Sequence, residues 1–134
     1  NPFNYNLAYY IRDELDIVKM NQSCLKLLNH TDFKCFSKSH TDVKTYDCDI
    51  SYAKWDMIEG GCKFTITSNR FLRNMVRSIV GSMIDVGRLK ITDTDFQKIL
   101  DSRNRSEAGL SVPALGLFLT EIKYEEIILE IWKK

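Results

Sequence analysis

The sequence has 134 residues and a mass of 15.6 kDa, which is the usual size of a single domain with its own hydrophobic core. With 44% hydrophobic and 28% charged residues, the composition excludes a disordered or fibrous chain, and no apolar run reaches the ~18 residues of a membrane helix. The net charge of +1 points to neither a nucleic-acid nor a membrane partner. Because the chain begins with Asn1 and shows no signal segment, we expect it to be a piece of a longer protein.

Four cysteines lie between residues 24 and 62, and neither their mutual spacing nor the positions of His30 and His40 match a zinc site. Three of them fall on apolar faces of predicted elements: Cys24, Cys48 and Cys62. We therefore predict buried free thiols that act as small hydrophobic side chains in a reduced, cytoplasmic protein.

The first fourteen residues show no clean periodicity, and the first predicted helix follows them. Asp16 is its predicted N-cap, Leu15 and Met20 are placed for a hydrophobic staple, and the helix should stop near Asn29. Apolar residues recur on one face at helical spacing: Ile17, Met20, Cys24, Leu27 and Leu28.

Alternating apolar and polar residues then predict a β-hairpin. Its first strand alternates from Thr45 to Tyr52, and a change of phase near Ala53 indicates a bulge. The turn lies at residues 59–61, and the second strand alternates over residues 62–67.

The strongest helix is predicted from Arg70 to about Val86, with Ser68 or Asn69 as its cap and Gly87 in the left-handed position after its end. A short helix follows, for which Thr92 and Asp95 form a possible capping pair and which turns three apolar residues inward: Phe96, Ile99 and Leu100.

Residues 102–116 form a loop, and residues 117–124 are apolar on both faces, which predicts a central strand. A last strand follows near residues 127–131. This order predicts one α+β domain over residues 1–134, with an antiparallel or mixed sheet and helices packed on one face.

The neutral total hides a separation of charge. Residues 63–90 carry six basic side chains and one acidic side chain, whereas residues 119–130 carry four acidic side chains and one basic one. Arg70, Arg73 and Arg77 would form one line along the predicted helix, which Arg88 would continue. Guanidinium groups suit bidentate pairing with phosphate or carboxylate, and Arg77 should sit at the edge of the buried stripe.

The run RFLRNMVRSIVGSM at residues 70–83 resembles the F-L-x-x-M-V-R-x-I-V-G segment of the tRNA pseudouridine synthase A family. Further segments resemble other stretches of that family in the same order: Asp16–Met20, the D-F-x-x-F loop at residues 32–36, the T-x-V-K-T run at residues 41–45, Val86-Gly87 and residues 112–119. Arg105 stands eleven residues before Gly116, as an arginine does in the family.

The resemblance implies an isomerase that converts uridine to pseudouridine in the anticodon stem-loop of tRNA, as a homodimer and without cofactor or metal. The family's nucleophile is an aspartate that follows Arg-Thr, and no aspartate here does so. We therefore expect this chain to be the carboxy-terminal half of the enzyme, inactive without an amino-terminal half that carries the nucleophile.

The resemblance also implies the site residues. Arg77 is the expected partner of the nucleophilic carboxylate, since an arginine beside a carboxylate keeps it ionised. Leu117 and Leu119 would form an apolar wall for the flipped base. Five cations would contact the tRNA backbone: Lys44, Arg70, Arg73, Arg88 and Arg105.

Two alternatives remain open. One is a non-catalytic RNA-binding or dimerisation module of the same fold, whose parent gene would lack the upstream aspartate. The other is an ordinary α+β domain with solvated arginines, which predicts no salt-dependent RNA binding.

Overall fold

The computed structural model describes residues 9–11, 14–37, 44–104, 107–108, 117–119 and 125–133. Five strands form one sheet in the order β1-β5-β3-β2, and β4 also pairs with β5. The elements in chain order are β1 (Tyr9–Ile11), α1 (Ile17–Leu28), a 3-10 turn (Lys34–Phe36), β2 (Ile50–Ile58), β3 (Gly61–Ser68), α2 (Met75–Gly87), α3 (Asp93–Ser102), β4 (Leu117–Leu119) and β5 (Glu125–Lys133). The predicted α+β class with a mixed sheet is confirmed.

Strands β2 and β3 form the predicted antiparallel hairpin, which turns at Glu59 and Gly60. Gly60 has a φ of 82°, which a residue without a side chain adopts without strain. The predicted irregularity is confirmed as a register shift between Ile50 and Tyr52. The strand begins at Ile50 and not at Thr45, because the residues before it pair with a different segment of the chain.

Strand β5 is the central strand of the sheet. Its one edge pairs with β3 along residues 125–132, and its other edge pairs first with β4 and then with β1. The prediction that residues 117–124 form a central strand is therefore wrong for the described part of the chain, where β4 has one partner strand. The three-residue strand β1 was missed because it is too short to show a period.

Helix α1 contacts strand β2 of the hairpin. Its N-cap is Asp16, whose Oδ1 accepts the backbone N–H of Lys19 at 3.1 Å, as predicted. Asn21 reaches the outer edge of β2, where its side-chain amide accepts from the N–H of Trp55 at 2.8 Å and donates to the Trp55 carbonyl at 3.0 Å. The edge strand is thus capped by a side chain at this position. Leu28, predicted to face inward, is 37% exposed.

Helix α2 starts five residues later than predicted, because Asn74 adopts a left-handed conformation with a φ of 68° and residues 69–72 precede the helix as a loop. Its end also differs from the prediction. Gly87 is the last helical residue, and Leu89, with a φ of 65°, takes the left-handed position expected for the glycine. The N–H of Lys90 bonds to the Asp85 carbonyl at 2.9 Å, which completes the C-terminal cap.

Gly87 is required for another reason, which is close packing. A Cβ at this position would lie 2.5 Å from Sδ of Met20 in α1 and 3.2 Å from Cδ2 of Leu15. The glycine therefore lets the end of α2 approach α1, and it does not serve to reverse the chain.

Helix α3 has the predicted capping box. Thr92 Oγ1 accepts the N–H of Asp95 at 3.1 Å, and the Asp95 carboxylate accepts the N–H of Thr92 at 2.9 Å. The three predicted inward residues are buried: Phe96, Ile99 and Leu100.

The core lies between the hairpin and the helices, and its centre is aromatic. Trp55 and Phe64 stack across the strand pair with ring centroids 4.7 Å apart, and Phe36 stacks with Phe96 of α3 at 6.0 Å. The buried positions of β3 alternate with half-buried ones, so one face of the hairpin meets the core while the other carries polar residues.

Candidate functional site

Helix α2 is buried on nearly all sides and carries two charged residues. Eleven of its thirteen residues are buried, and the exceptions are Arg77 and Asp85. Arg77 is half-buried in the first turn, as expected for the edge of the apolar stripe. The N-terminal end of a helix carries a partial positive charge, so an anion near Arg77 would be stabilised by both the guanidinium and the helix.

The predicted line of arginines along α2 is wrong. Arg70 and Arg73 lie in the loop before the helix, and Arg88 is the residue that caps its C-terminal end. Only Arg77 stands within α2, because the loop backbone is bonded to another segment: the N–H of Asn69 donates to the Asp49 carbonyl at 3.2 Å, and Asn69 Oδ1 accepts from the N–H of Asp49 at 2.8 Å.

The side chain of Arg70 in this loop contacts the segment that precedes β2. Its Nη1 donates to three acceptors on the segment that precedes β2: the carbonyl oxygen of Thr45 at 3.3 Å, Oγ1 of Thr45 at 3.2 Å and the carbonyl oxygen of Asp47 at 3.3 Å. Arg70 is half-buried, whereas Thr45 and Asp47 are exposed. The guanidinium therefore ties two loops together.

The same segment is held on its other side by the D-F loop. The N–H of Cys48 donates to the Thr31 carbonyl at 2.9 Å, and the N–H of Phe33 donates to the Tyr46 carbonyl at 3.0 Å. These bonds form an antiparallel bridge between Asp32 and Asp47. Three stretches that are separate in sequence, residues 31–36, 44–49 and 68–74, thus lie side by side at the N-terminal end of α2.

Asp32 fixes the D-F loop in two ways. Its Oδ1 accepts the N–H of Lys34 at 3.0 Å, and its Oδ2 pairs with Nε of Arg103 at 2.6 Å. The position of Asp32 two residues before a turn is a local signal that the sequence shows. The ion pair was not predicted, because no local pattern indicates a partner 71 positions further along the chain. The phenylalanines of the loop, Phe33 and Phe36, are buried in the core.

The structure divides the candidate cations between the two ends of α2. Lys44 and Arg73 are exposed and Arg70 is half-buried, and all three lie on the loops at the N-terminal end. Arg88, which is half-buried, follows Arg77 by eleven residues, or about 17 Å along the helix axis. A single phosphate-binding line through all of these residues is therefore not formed.

Three candidate site residues lie wholly or partly outside the described part of the chain. The backbones of Leu117 and Leu119 lie in β4, opposite Leu129 and Ile127 of β5. Their side chains are outside the described part, and so is the whole of Arg105.

The four cysteines are buried and free, as predicted. Burial is the main cause that raises the pKa of Cys24, Cys35 and Cys62 to about 12 and that of Cys48 to about 11. A thiol with such a pKa is not ionised at neutral pH and is a poor nucleophile. Cys48 instead contributes to packing, with its Sγ 3.7 Å from Sδ of Met75 at the start of α2.

Two other kinds of site are relevant among the described residues, a metal site and a cleft. Within those ranges, no group of three His, Cys, Asp or Glu side chains could hold a metal ion. A cleft of about 200 Å³ lies between α1 and the loop after α2, where Lys19, Leu89 and Thr92 line it, and Arg77 is not among its lining residues. Its lining carries no cluster of cations.

Comparison with known proteins identifies the family of this chain. The model of the tRNA pseudouridine synthase family matches residues 24–125, a range that includes the C-terminal part of α1 and all of the hairpin, α2, α3 and β4. The match covers well over half of the chain, and the chain belongs to this family.

Individual relatives agree with that assignment. The chain is 48% identical over 130 residues to the tRNA pseudouridine synthase A of Bacteroides fragilis, which covers 96% of the chain and 52% of that protein. It is 45% identical over 137 residues to the enzyme of Bacteroides thetaiotaomicron and 36% identical over 125 residues to that of Caldicellulosiruptor saccharolyticus. The chain spans about half the length of the curated relatives it matches.

Among the described residues, none of the helices combines the length and the apolar character that crossing a membrane requires.

Proposed function

We propose that the full-length gene product converts uridine to pseudouridine in the anticodon stem-loop of tRNA, in the cytoplasm and as a homodimer, and that this chain supplies its carboxy-terminal half. Family membership supports the reaction class, and the name of the relatives, tRNA pseudouridine synthase A, supports the substrate class. One observation carries the role of this chain: Arg77 is a half-buried cation on a helix that is otherwise almost wholly buried.

The reaction is an isomerisation that balances without an oxidant or a reductant. The bond between N1 of uracil and C1′ of the ribose breaks, and a bond between C5 and C1′ forms. The proton on C5 leaves to solvent, and N1 takes up a proton. The base must leave its stack for this rearrangement, which costs a few kcal/mol.

The nucleophile in this proposal is an aspartate on another segment of the gene product, since the sequence contains no Arg-Thr-Asp. Arg77 keeps that carboxylate ionised, because an arginine within ion-pair distance stabilises the charged form and lowers the carboxylate pKa. The first turn of α2 adds its partial positive charge to the same effect. Leu117 and Leu119 would form an apolar wall that shields the flipped base from water.

The remaining cations position the tRNA. Lys44 and Arg73 are exposed at the N-terminal end of α2, where they are free to approach the phosphates of a stem-loop. Arg88 and Arg105 would contact the backbone elsewhere. Such contacts carry no sequence information, which suits recognition of a folded stem and loop by shape.

The catalytic role of Arg77 is tested with the full-length gene product and a tRNA transcript tritiated at C5 of uridine, under single-turnover conditions. Arg77→Ala should lower the rate of tritium release by roughly 100-fold or more, because it removes a charge that acts in the reaction, while the Kd for tRNA changes by less than about threefold. Asp85→Asn, at the other end of the same helix, is the control and should keep the rate of the unaltered protein. A near-normal rate for Arg77→Ala would refute the assignment.

The same measurements separate the alternatives. Binding of tRNA without any tritium release by the unaltered protein would favour a non-catalytic RNA-binding module. Absence of salt-dependent binding would favour an ordinary domain with solvated arginines. The proposed homodimer is tested by light scattering on the full-length gene product, which should give twice the mass of one chain.

A further inference from the structure

The side chain of Arg70 makes contacts that differ from the role predicted for it. The sequence predicted that it contacts the tRNA backbone, together with the other cations. In the structure its Nη1 is directed at Thr45 and Asp47, with three acceptors at 3.2–3.3 Å. Two of those acceptors are backbone carbonyl oxygens, so Arg70 holds the path of the chain at residues 45–47.

This contact would fix the position of Lys44. Lys44 is exposed and directly precedes Thr45, whose carbonyl and hydroxyl oxygens both accept from Arg70. The segment that follows is also fixed, through the bonds of Asp49 with Asn69 and of Cys48 with Thr31. Arg70 thus bonds to the residue that directly follows Lys44, in a segment that is otherwise well anchored.

We infer that Arg70 is a positioning residue that sets the place of Lys44 for tRNA binding and makes no phosphate contact of its own. This inference rests on the proposed function, since it concerns how the same surface meets tRNA. It predicts that the contributions of Arg70 and Lys44 to binding are not independent, whereas those of Arg73 and Lys44 are.

The test is a double-mutant cycle on the full-length gene product, in which the affinity for tRNA is measured against salt concentration. A protein loses about 0.7–0.9 from the slope of log K against log salt for each phosphate contact removed. Lys44→Ala should lower the slope by that amount, and Arg70→Gln should do the same by displacing Lys44. The double variant should lose one such decrement and not two.

Arg70→Lys distinguishes positioning from direct contact. It keeps the positive charge, but its side chain is one bond shorter and its amine cannot span the same acceptors. We expect it to lose the same slope decrement as Arg70→Gln and to speed amide hydrogen exchange at residues 44–47, with exchange in α1 unchanged. A direct phosphate contact would instead be largely preserved by lysine.

Arg73→Gln is the matched control, because Arg73 is exposed in the same loop three positions later. Its effect should add to that of Lys44→Ala. Additive effects of Arg70 and Lys44, or a normal slope in Arg70→Lys, would overturn the inference while the proposed function stands. Absence of tRNA binding by the unaltered protein would overturn both.

Discussion

Helices α2 and α3 are neighbours in the chain, yet different interactions determine where they lie and where they end. Helix α3 begins with a capping box and has two acidic residues in its first turn, Asp93 and Asp95. Helix α2 has no side-chain cap and no acidic residue in its first turn, but eleven of its thirteen residues are buried. A surface helix is thus defined by local signals, whereas a central helix is defined by what packs around it.

The largest test of this comparison removes packing from α2. Ile79→Ala should lower the free energy of unfolding by about 2–5 kcal/mol, because Ile79 is fully buried and its truncation leaves a cavity. Lys98→Ala, on the exposed side of α3, should stay within about 0.5 kcal/mol. Equilibrium unfolding in urea measures both. A loss below about 1 kcal/mol for Ile79→Ala would contradict the central position of α2.

The second test concerns the end of α2. Gly87→Val should cost about 1–3 kcal/mol, because its side chain would meet Met20 and Leu15 at distances shorter than packing allows. Met20→Ala in the same chain should relieve part of this cost, so the double variant is less destabilised than the sum of the single ones. Strict additivity in urea unfolding would show that the two side chains do not meet.

The third test removes the local signal of α3. Thr92→Ala should cost about 1 kcal/mol, because the N–H of Asp95 loses its acceptor at the start of the helix. Thr92→Ser keeps a hydroxyl and is the matched control, with stability close to that of the unaltered chain. An unchanged urea midpoint for Thr92→Ala would mean that packing, and not the cap, defines α3.

The smallest effect is a pH dependence of the same cap. The hydrogen bonds that Asp95 accepts from the Thr92 N–H and hydroxyl lower the pKa of its carboxyl below the ordinary value. An unfolded Asp titrates near pH ~3.9, so the stabilisation is complete above that pH and is lost as the pH falls through the lower folded pKa. The stability difference between the unaltered chain and Asp95→Asn should therefore be constant from about pH 5 to 7 and shrink below about pH 4. A difference that is as large at about pH 2 as at neutral pH would contradict this assignment.

Sequence reasoning located the elements whose ends carry their own signals. Asp16 and Thr92 cap α1 and α3 as predicted, and the Glu59-Gly60 turn closes the hairpin. In each case the side chain or the glycine acts on backbone within a few residues, so its effect is visible in a short window of sequence.

The start of α2 could not be predicted in this way. Residues 70–74 fit the apolar helical pattern, but the Asn69 backbone pairs with Asp49, the Arg70 side chain reaches Thr45, and Asn74 turns left-handed. The candidate site differs from the prediction for the same reason, since Arg70 and Arg73 lie in the loop before α2 and not within the helix. Arg77 lies at the edge of the buried stripe, as predicted, because the buried residues around it determine which face of α2 points to the core.

The sequence by itself determined the family, the α+β class, the hairpin and the two capped helices, because motifs, alternation and caps act over short stretches of chain. Tertiary structure alone decided which strand is central, where α2 begins, why Gly87 is a glycine and that Asp32 pairs with Arg103. These features depend on contacts between residues far apart in sequence, whose energies exceed the weak local preferences that a sequence window reveals.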